Sequence, residues 1–239
     1  MTAPVTPLRA VRGLFGPRRG RHTLPVERFA ALRLPVGDDG VVAGGDADGQ
    51  PVVLGLFGPA ALDVVLVGGV WTAQVLALRA VGAGARVAVE TARPQAWAAL
   101  ARSVGGDPSP MTVYGVGRVA PQGASVSAPV LVVRDCGVRP PRGRPAAGPW
   151  QSVLTLLPFP GPAAPRLVER AGLVGVQRVA PDEAAVLGRA LRLPDGTARA
   201  LPRLGEDMVL WCAPGHHALV AVRPTDIETG LLGEPRRLD

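Results

Sequence analysis

The chain has 239 residues, 47% of them hydrophobic but only 4% aromatic, and a formal net charge of +7. That length suffices for one α/β domain with a full core or for two small ones, with the core built from Val, Leu and Ala. All 26 basic residues are arginine, which excludes chemistry that needs an ammonium side chain: Schiff bases, a lysine general base and a phosphate-loop lysine. The positive balance suits anionic partners such as nucleic acid, phosphates, an acidic protein face or the inner leaflet of a membrane. Two cysteines far apart in sequence, Cys136 and Cys212, suit reduced thiols better than a disulfide framework. No apolar run approaches the roughly 20 residues of a membrane span, and the N-terminus lacks a signal-peptide apolar region. The expectation is a cytoplasmic protein, with peripheral docking at the inner face of the membrane left open.

Residues 1–33, rich in Pro, Gly and Arg and carrying Arg18, Arg19 and Arg21, read as a basic disordered arm. Residues 34–239 read as a single domain. Val41-Val42 and Pro51 to Leu56 flank an Asp-Gly turn and predict a hairpin. Asp46 and Asp48 belong to that turn, because the remaining ligands of a calcium loop are missing. Leu62 to Val67 then runs as a buried strand into Gly68-Gly69 and an amphipathic helical pattern that ends at Gly82 and Gly84.

Ala85 to Glu90 predicts the next strand, and Pro94 opens a helix through Trp97 and Leu100. Strand, helix, strand, helix implies right-handed crossovers and a parallel sheet. Further strands are expected at Met111 to Val116, Pro129 to Val133 and Gln151 to Leu157. Arg139, Arg142 and Arg144 form a second basic cluster in the Pro-rich connection before the last of these. Ala163 to Ala171 predicts a helix, Leu173 to Val179 a strand, and Pro181-Asp182-Glu183 the start of a helix with acids at its positive end. Met208 to Cys212 and Leu219 to Val222 predict a closing hairpin around Gly215-His216-His217. Thr225 caps a short last helix.

The strand, double glycine and helix around Gly68 have the layout of a phosphate-binding loop without its chemistry. With Gly68 in the first place, Ala73, Gln74 and Val75 stand where the second glycine, the lysine and the hydroxyl belong. The order of parts resembles the motor domain of FtsK/HerA-type translocases, including the EccC ATPases of actinobacterial type VII secretion. The shared parts are the Gly45 to Leu56 hairpin before the loop strand, a strand ending in an acid and Arg93-Pro94, an apolar strand ending in Asp135, and Gln177-Arg178 followed by Pro181 to Ala184. The resemblance implies a three-layer α/β fold of RecA-like, P-loop NTPase type: a mostly parallel sheet with flanking helices and N- and C-terminal β-hairpins. It also implies that Val130 to Asp135 lies beside Leu62 to Gly69. Asp135 keeps the first carboxylate of the second motif, whereas Cys136 replaces the glutamate that polarises water.

What the resemblance leaves is a vestigial nucleotide site of Gly68, Gly69, Thr72 and Asp135. No catalytic residue, metal or resident cofactor is expected, and ATP or another nucleotide is the disfavoured alternative. The function implied is that of a non-catalytic pseudo-ATPase, an accessory or scaffold of a secretion or translocation complex. Type VII is the favoured context and an EccC-like ATPase a candidate partner. Arg18, Arg19, Arg21, Arg139, Arg142 and Arg144 are the candidate partner-binding residues. Two other classes compete: an arginine-rich nucleic-acid-binding module, and a Rossmann-like dinucleotide enzyme using Gly68, Gly69 and Glu90 as the ribose acid.

Overall fold

In the computed structural model the described residues are 40–138, 140, 141, 143 and 145–237, and they belong to one compact unit, Pro35–Asp239. The basic arm expected over residues 1–33 lies outside them. β1 (Val41–Gly45) and β2 (Pro51–Leu54) form the expected hairpin. Its turn is closed by Asp46, whose Oδ1 accepts the N–H groups of Asp48 and Gln50, with Gly49 at a positive φ of 78°. β3 (Leu62–Val67) feeds α1 (Val70–Gly82). α1 ends in a Schellman motif: Ala85 N–H reaches Ala80 O and Gly84 N–H reaches Val81 O, with Gly84 left-handed at 88°.

β4 (Arg86–Thr91), α2 (Pro94–Ser103), β5 (Met111–Gly115), β6 (Val130–Asp135) and β7 (Gln151–Leu157) follow. Then come α3 (Ala164–Arg170), β8 (Leu173–Val176), α4 (Pro181–Ala190) and α5 (Asp195–Ala200), the last running into a 3-10 turn at Leu201–Arg203. β9 (Met208–Ala213), β10 (His216–Ala221) and α6 (Asp226–Leu232) complete the order. α5 has no counterpart in the sequence reading, because Pro194-Asp195-Gly196 carries the composition of a turn.

All strands join one ten-stranded sheet in the order β2-β1-β10-β9-β8-β3-β7-β6-β4-β5. From β8 to β5 neighbouring strands are parallel; from β2 to β8 they are antiparallel. The two hairpins expected as separate additions therefore form one extension, joined where Gly45 pairs with Ala221. β3, β6 and β7 are buried along most of their length because the sheet is covered on both faces. Val64 and Leu66 share one cluster with Trp71, Val75, Trp97 and Leu232, under α1, α2 and α6. Val65 and Val67 point the other way, into a cluster with Val168, Leu187 and Leu201 under α3 and α4. Three layers result: helices, sheet, helices.

One expectation is corrected. β6 does not lie beside β3, because β7 stands between them, bonded to both. The chain leaves β3 through α1 and skips the adjacent place, which β7 fills on its return. The same order overturns the Rossmann-like reading. That fold puts its first two strands side by side, whereas here β7 and β6 separate β3 from β4 and its Glu90.

Candidate functional site

In an open parallel sheet, ligands bind beyond the carboxyl ends of the strands, at the point where successive connections switch faces. Here that point lies between β3, left through α1 on one face, and β7, left through α3 on the other. Gly68 and Gly69 sit at it. The crevice is filled by the chain itself. Gly68 N–H donates to Leu157 O at 2.9 Å, and Gly69 N–H donates to the side chain of Gln177 at 2.7 Å. Gln177 is fully buried at the end of β8, and its Nε2 donates to Glu206 O.

The C-terminal segment closes over this turn. Arg237 is buried; its Nε donates to Arg178 O at 2.9 Å and its Nη2 to Pro158 O at 2.6 Å, while its backbone N–H donates to Glu206 Oε2 at 2.7 Å. A guanidinium from the far end of the chain thus sits at the ends of β7 and β8. The two glycines are required by this packing. A Cβ on Gly68 would stand 2.3 Å from Gln177 Oε1, and one on Gly69 would stand 2.6 Å from Arg237 O and 3.0 Å from Arg236 O. An anion at a helix N-terminus needs N–H groups aimed at it. Here the Gly69 N–H is spent on an amide oxygen, and carbonyl oxygens approach from above.

The positions that depart from a phosphate loop are occupied structurally. Gln74 Nε2 donates to Ala96 O at 2.7 Å, tying α1 to α2, and Val75 is buried in the core. Trp71 is buried, and its indole N–H donates to Gly233 O at 3.0 Å, anchoring the chain just past α6. Thr72 lies in the first turn of α1 with its hydroxyl buried and without a hydrogen-bond partner among the described residues. The geometry therefore places Gly68, Gly69 and Thr72 together at one helix terminus.

Asp135 lies at the end of β6, opposite Thr91 in the parallel register. Its carboxylate is buried and takes a fork of bonds from Arg93 at 2.9–3.1 Å, the Thr91 hydroxyl at 3.1 Å and the Trp97 indole N–H at 2.9 Å. Arg134, the residue before it, faces the opposite side of the sheet. It pairs with Glu90, its register neighbour, at 2.6 Å, both side chains being buried, and also donates to Pro141 O and Gly143 O. Glu90 accepts the Gly117 N–H as well. These acids end up in ion pairs because Arg134 on β6 is the register neighbour of Glu90 on β4, and Arg93, just past the end of β4 at the start of α2, reaches Asp135. Sequence reasoning missed Gln177 and Arg237 as occupants of the crevice. A buried-strand position held by glutamine was the available sign for the first, and none marked the second.

Cys136, beside Asp135, donates weakly to Glu90 O. Burial pushes its thiol up to about 11, helped by Glu90, opposed by Arg134 and helped again by Asp135; burial alone raises Cys212 to about 11. At pH 8 about one such thiol in a thousand is the reactive thiolate. Alkylation of the folded protein at pH 8 is expected to run about 100-fold slower than for an ordinary thiol and to recover fully in denaturant. Fast labelling of Cys136 in the native state contradicts this.

His216 and His217 occupy adjacent, exposed places on β10. Arg18, Arg19, Arg21, Arg139, Arg142 and Arg144 lie outside the described residues. No helix among the described residues is long and apolar enough to cross a membrane.

No protein-family model matches the sequence, and no curated protein matches it. Among solved structures, the chain is similar to VirB4 of Thermoanaerobacter pseudethanolicus, with a TM-score of 0.59 and 10% sequence identity, over 80% of this chain and 98% of that chain. At that identity the likeness is one of fold: an α/β, P-loop NTPase-like arrangement of a mostly parallel sheet with flanking helices.

Proposed function

We propose that this chain is a pseudo-ATPase, a non-catalytic accessory or scaffold of a secretion or translocation complex. VirB4 is a type IV secretion ATPase, and sharing its fold supports a place in secretion machinery of that general kind. The finer assignment, to type VII secretion beside an EccC-like ATPase, rests on the sequence resemblance. Gly68, Gly69, Thr72 and Asp135 are in this reading the remains of a nucleotide site.

The observation that carries the reading is the crevice itself. Gln177 accepts the Gly69 N–H and Arg237 lies buried at the neighbouring strand ends, so a triphosphate would have to displace both. No lysine is present to repay that displacement with charge. Arg18, Arg19, Arg21, Arg139, Arg142 and Arg144 are assigned to the partner surface, by charge alone.

Isothermal titration with ATP and magnesium, with a phosphate-release assay, tests the proposal. The expected result is no heat of binding and no turnover. Turnover that disappears in an Asp135→Asn variant ends the pseudo-enzyme reading. Deletion of residues 1–33 separates the nucleic-acid alternative: salt-dependent DNA binding lost with the arm is its signature.

A further inference from the structure

We infer that the cleft between α4 and α5 is a docking site for an acidic segment of a protein partner, one carrying small aliphatic side chains between its carboxylates. The cleft has a volume of about 780 Å³, within the range of sites that enclose a ligand of several residues or a drug-sized molecule. It lies on the helical layer that covers β8, and none of Gly68, Gly69, Gln177 and Arg237 lines it. The inference does not rest on that crevice being silent.

Charge defines the occupant. Arg189, Arg192, Arg199 and Arg203 line the cleft against one carboxylate, Asp195. All four arginines are exposed, and no salt bridge among the described residues involves any of them. Planar guanidinium forks at several points of one cleft match carboxylates presented by an extended or helical segment. The floor is apolar, with Ala185, Leu193, Ala198 and Pro202, and no aromatic side chain lines it. That floor accommodates aliphatic side chains and offers nothing on which a base could stack, so a peptide fits better than a nucleic acid.

A second, independent observation singles out Arg192. α4 ends in the same motif as α1: Leu193 N–H reaches Gly188 O at 2.9 Å and Arg192 N–H reaches Arg189 O at 3.2 Å. α1 fills the left-handed position with Gly84, the favoured residue, whereas α4 fills it with Arg192 at φ 53°. A side chain in that region carries a conformational cost that glycine avoids. Arg192 thus lines the cleft in a backbone conformation that its residue type disfavours.

Fluorescence anisotropy of a labelled peptide of alternating Glu and Leu, titrated with the full chain, tests this. Saturable binding is expected, and the pair Arg189→Glu/Arg199→Glu should weaken it by about 100-fold. The charge-matched pair Arg102→Glu/Arg118→Glu, on α2 and after β5, should change it by no more than about 3-fold, since distant exposed charges are screened. Arg192→Gly gives the sharper result: a melting temperature raised by about 2–4 °C together with affinity lowered about 10-fold. No saturable binding, equal losses in the two charge-matched pairs, or an Arg192→Gly variant that keeps its affinity overturns the proposal. So does a single-stranded oligonucleotide that binds more tightly than the peptide and is lost with Arg189→Glu/Arg199→Glu.

Discussion

An Asp135→Ala variant is expected to melt on the order of 10 °C below the parent protein and to behave identically toward ATP and magnesium. The loss comes from stranding partners. Asp135 accepts from Arg93, from the Thr91 hydroxyl and from the indole N–H of Trp97, itself fully buried. Removing one partner of such a buried, charge-assisted cluster costs about 3–5 kcal/mol, because the remaining groups keep their desolvation penalty without its compensation. Asp135→Asn keeps an acceptor but turns an amide N–H toward Arg93, and its loss should fall between. Thermal melts with nucleotide titrations on the three proteins check this. A variant as stable as the parent would mean that the carboxylate is not a structural element of the β6 end.

Arg79→Met is expected to destabilise by a similar amount, about 3–5 kcal/mol, and to loosen both the first hairpin and α6. Arg79 lies in the last turn of α1 and ties α1 to β1 and to α6. Its Nε and Nη2 bond Glu228 on α6 at 2.7 and 2.9 Å; Nη1 bonds Val42 O and Ala43 O on β1, and Nη2 also bonds Arg223 O. Glu228 is buried and closes a capping box with Thr225, each accepting a backbone N–H of the other. Burial by itself would raise the Glu228 carboxyl. The hydrogen bonds from Arg79 and Thr225 and the charge of Arg79 outweigh it and hold the carboxyl below its ordinary 4.5.

The pH dependence follows from that direction. A depressed carboxyl binds fewer protons folded than unfolded, so its contribution is complete above about pH 4.5 and is lost as pH falls through the folded value. Glu228→Gln should flatten this part of the acid limb while lowering stability at neutral pH. Urea melts of parent and both variants from neutral pH to pH 3 read the effect. An acid limb of unchanged slope in Glu228→Gln contradicts the assignment.

The elements themselves were legible because each rests on local physics. Apolar runs of strand length gave β3, β6 and β7; Pro94 and Pro181 opened α2 and α4; Thr225, followed by acids in the next turn, marked α6. α5 was not legible, since its six residues form a helix only where Gly188 lets α4 approach within contact of Ala198, a Cβ there standing 2.8 Å away. The double glycine was legible as a turn, but its two readings, anion cradle or close packing, could not be separated from composition.

By itself the sequence determined the inventory: strands and helices in a P-loop-like order, a glycine turn at the carboxyl end of the central strand, and no ammonium group to hold a triphosphate. These depend on neighbours a few residues apart, where chain connectivity dictates the contact. Only the tertiary structure decided what meets at the turn. Gln177 reaches Gly69 across 108 positions and Arg237 reaches Pro158 across 79. β7 separates β3 from β6, Glu90 takes Arg134, and Asp135 takes Arg93. Such pairings are fixed by strand order and register, which a one-dimensional pattern of apolar and polar residues does not encode.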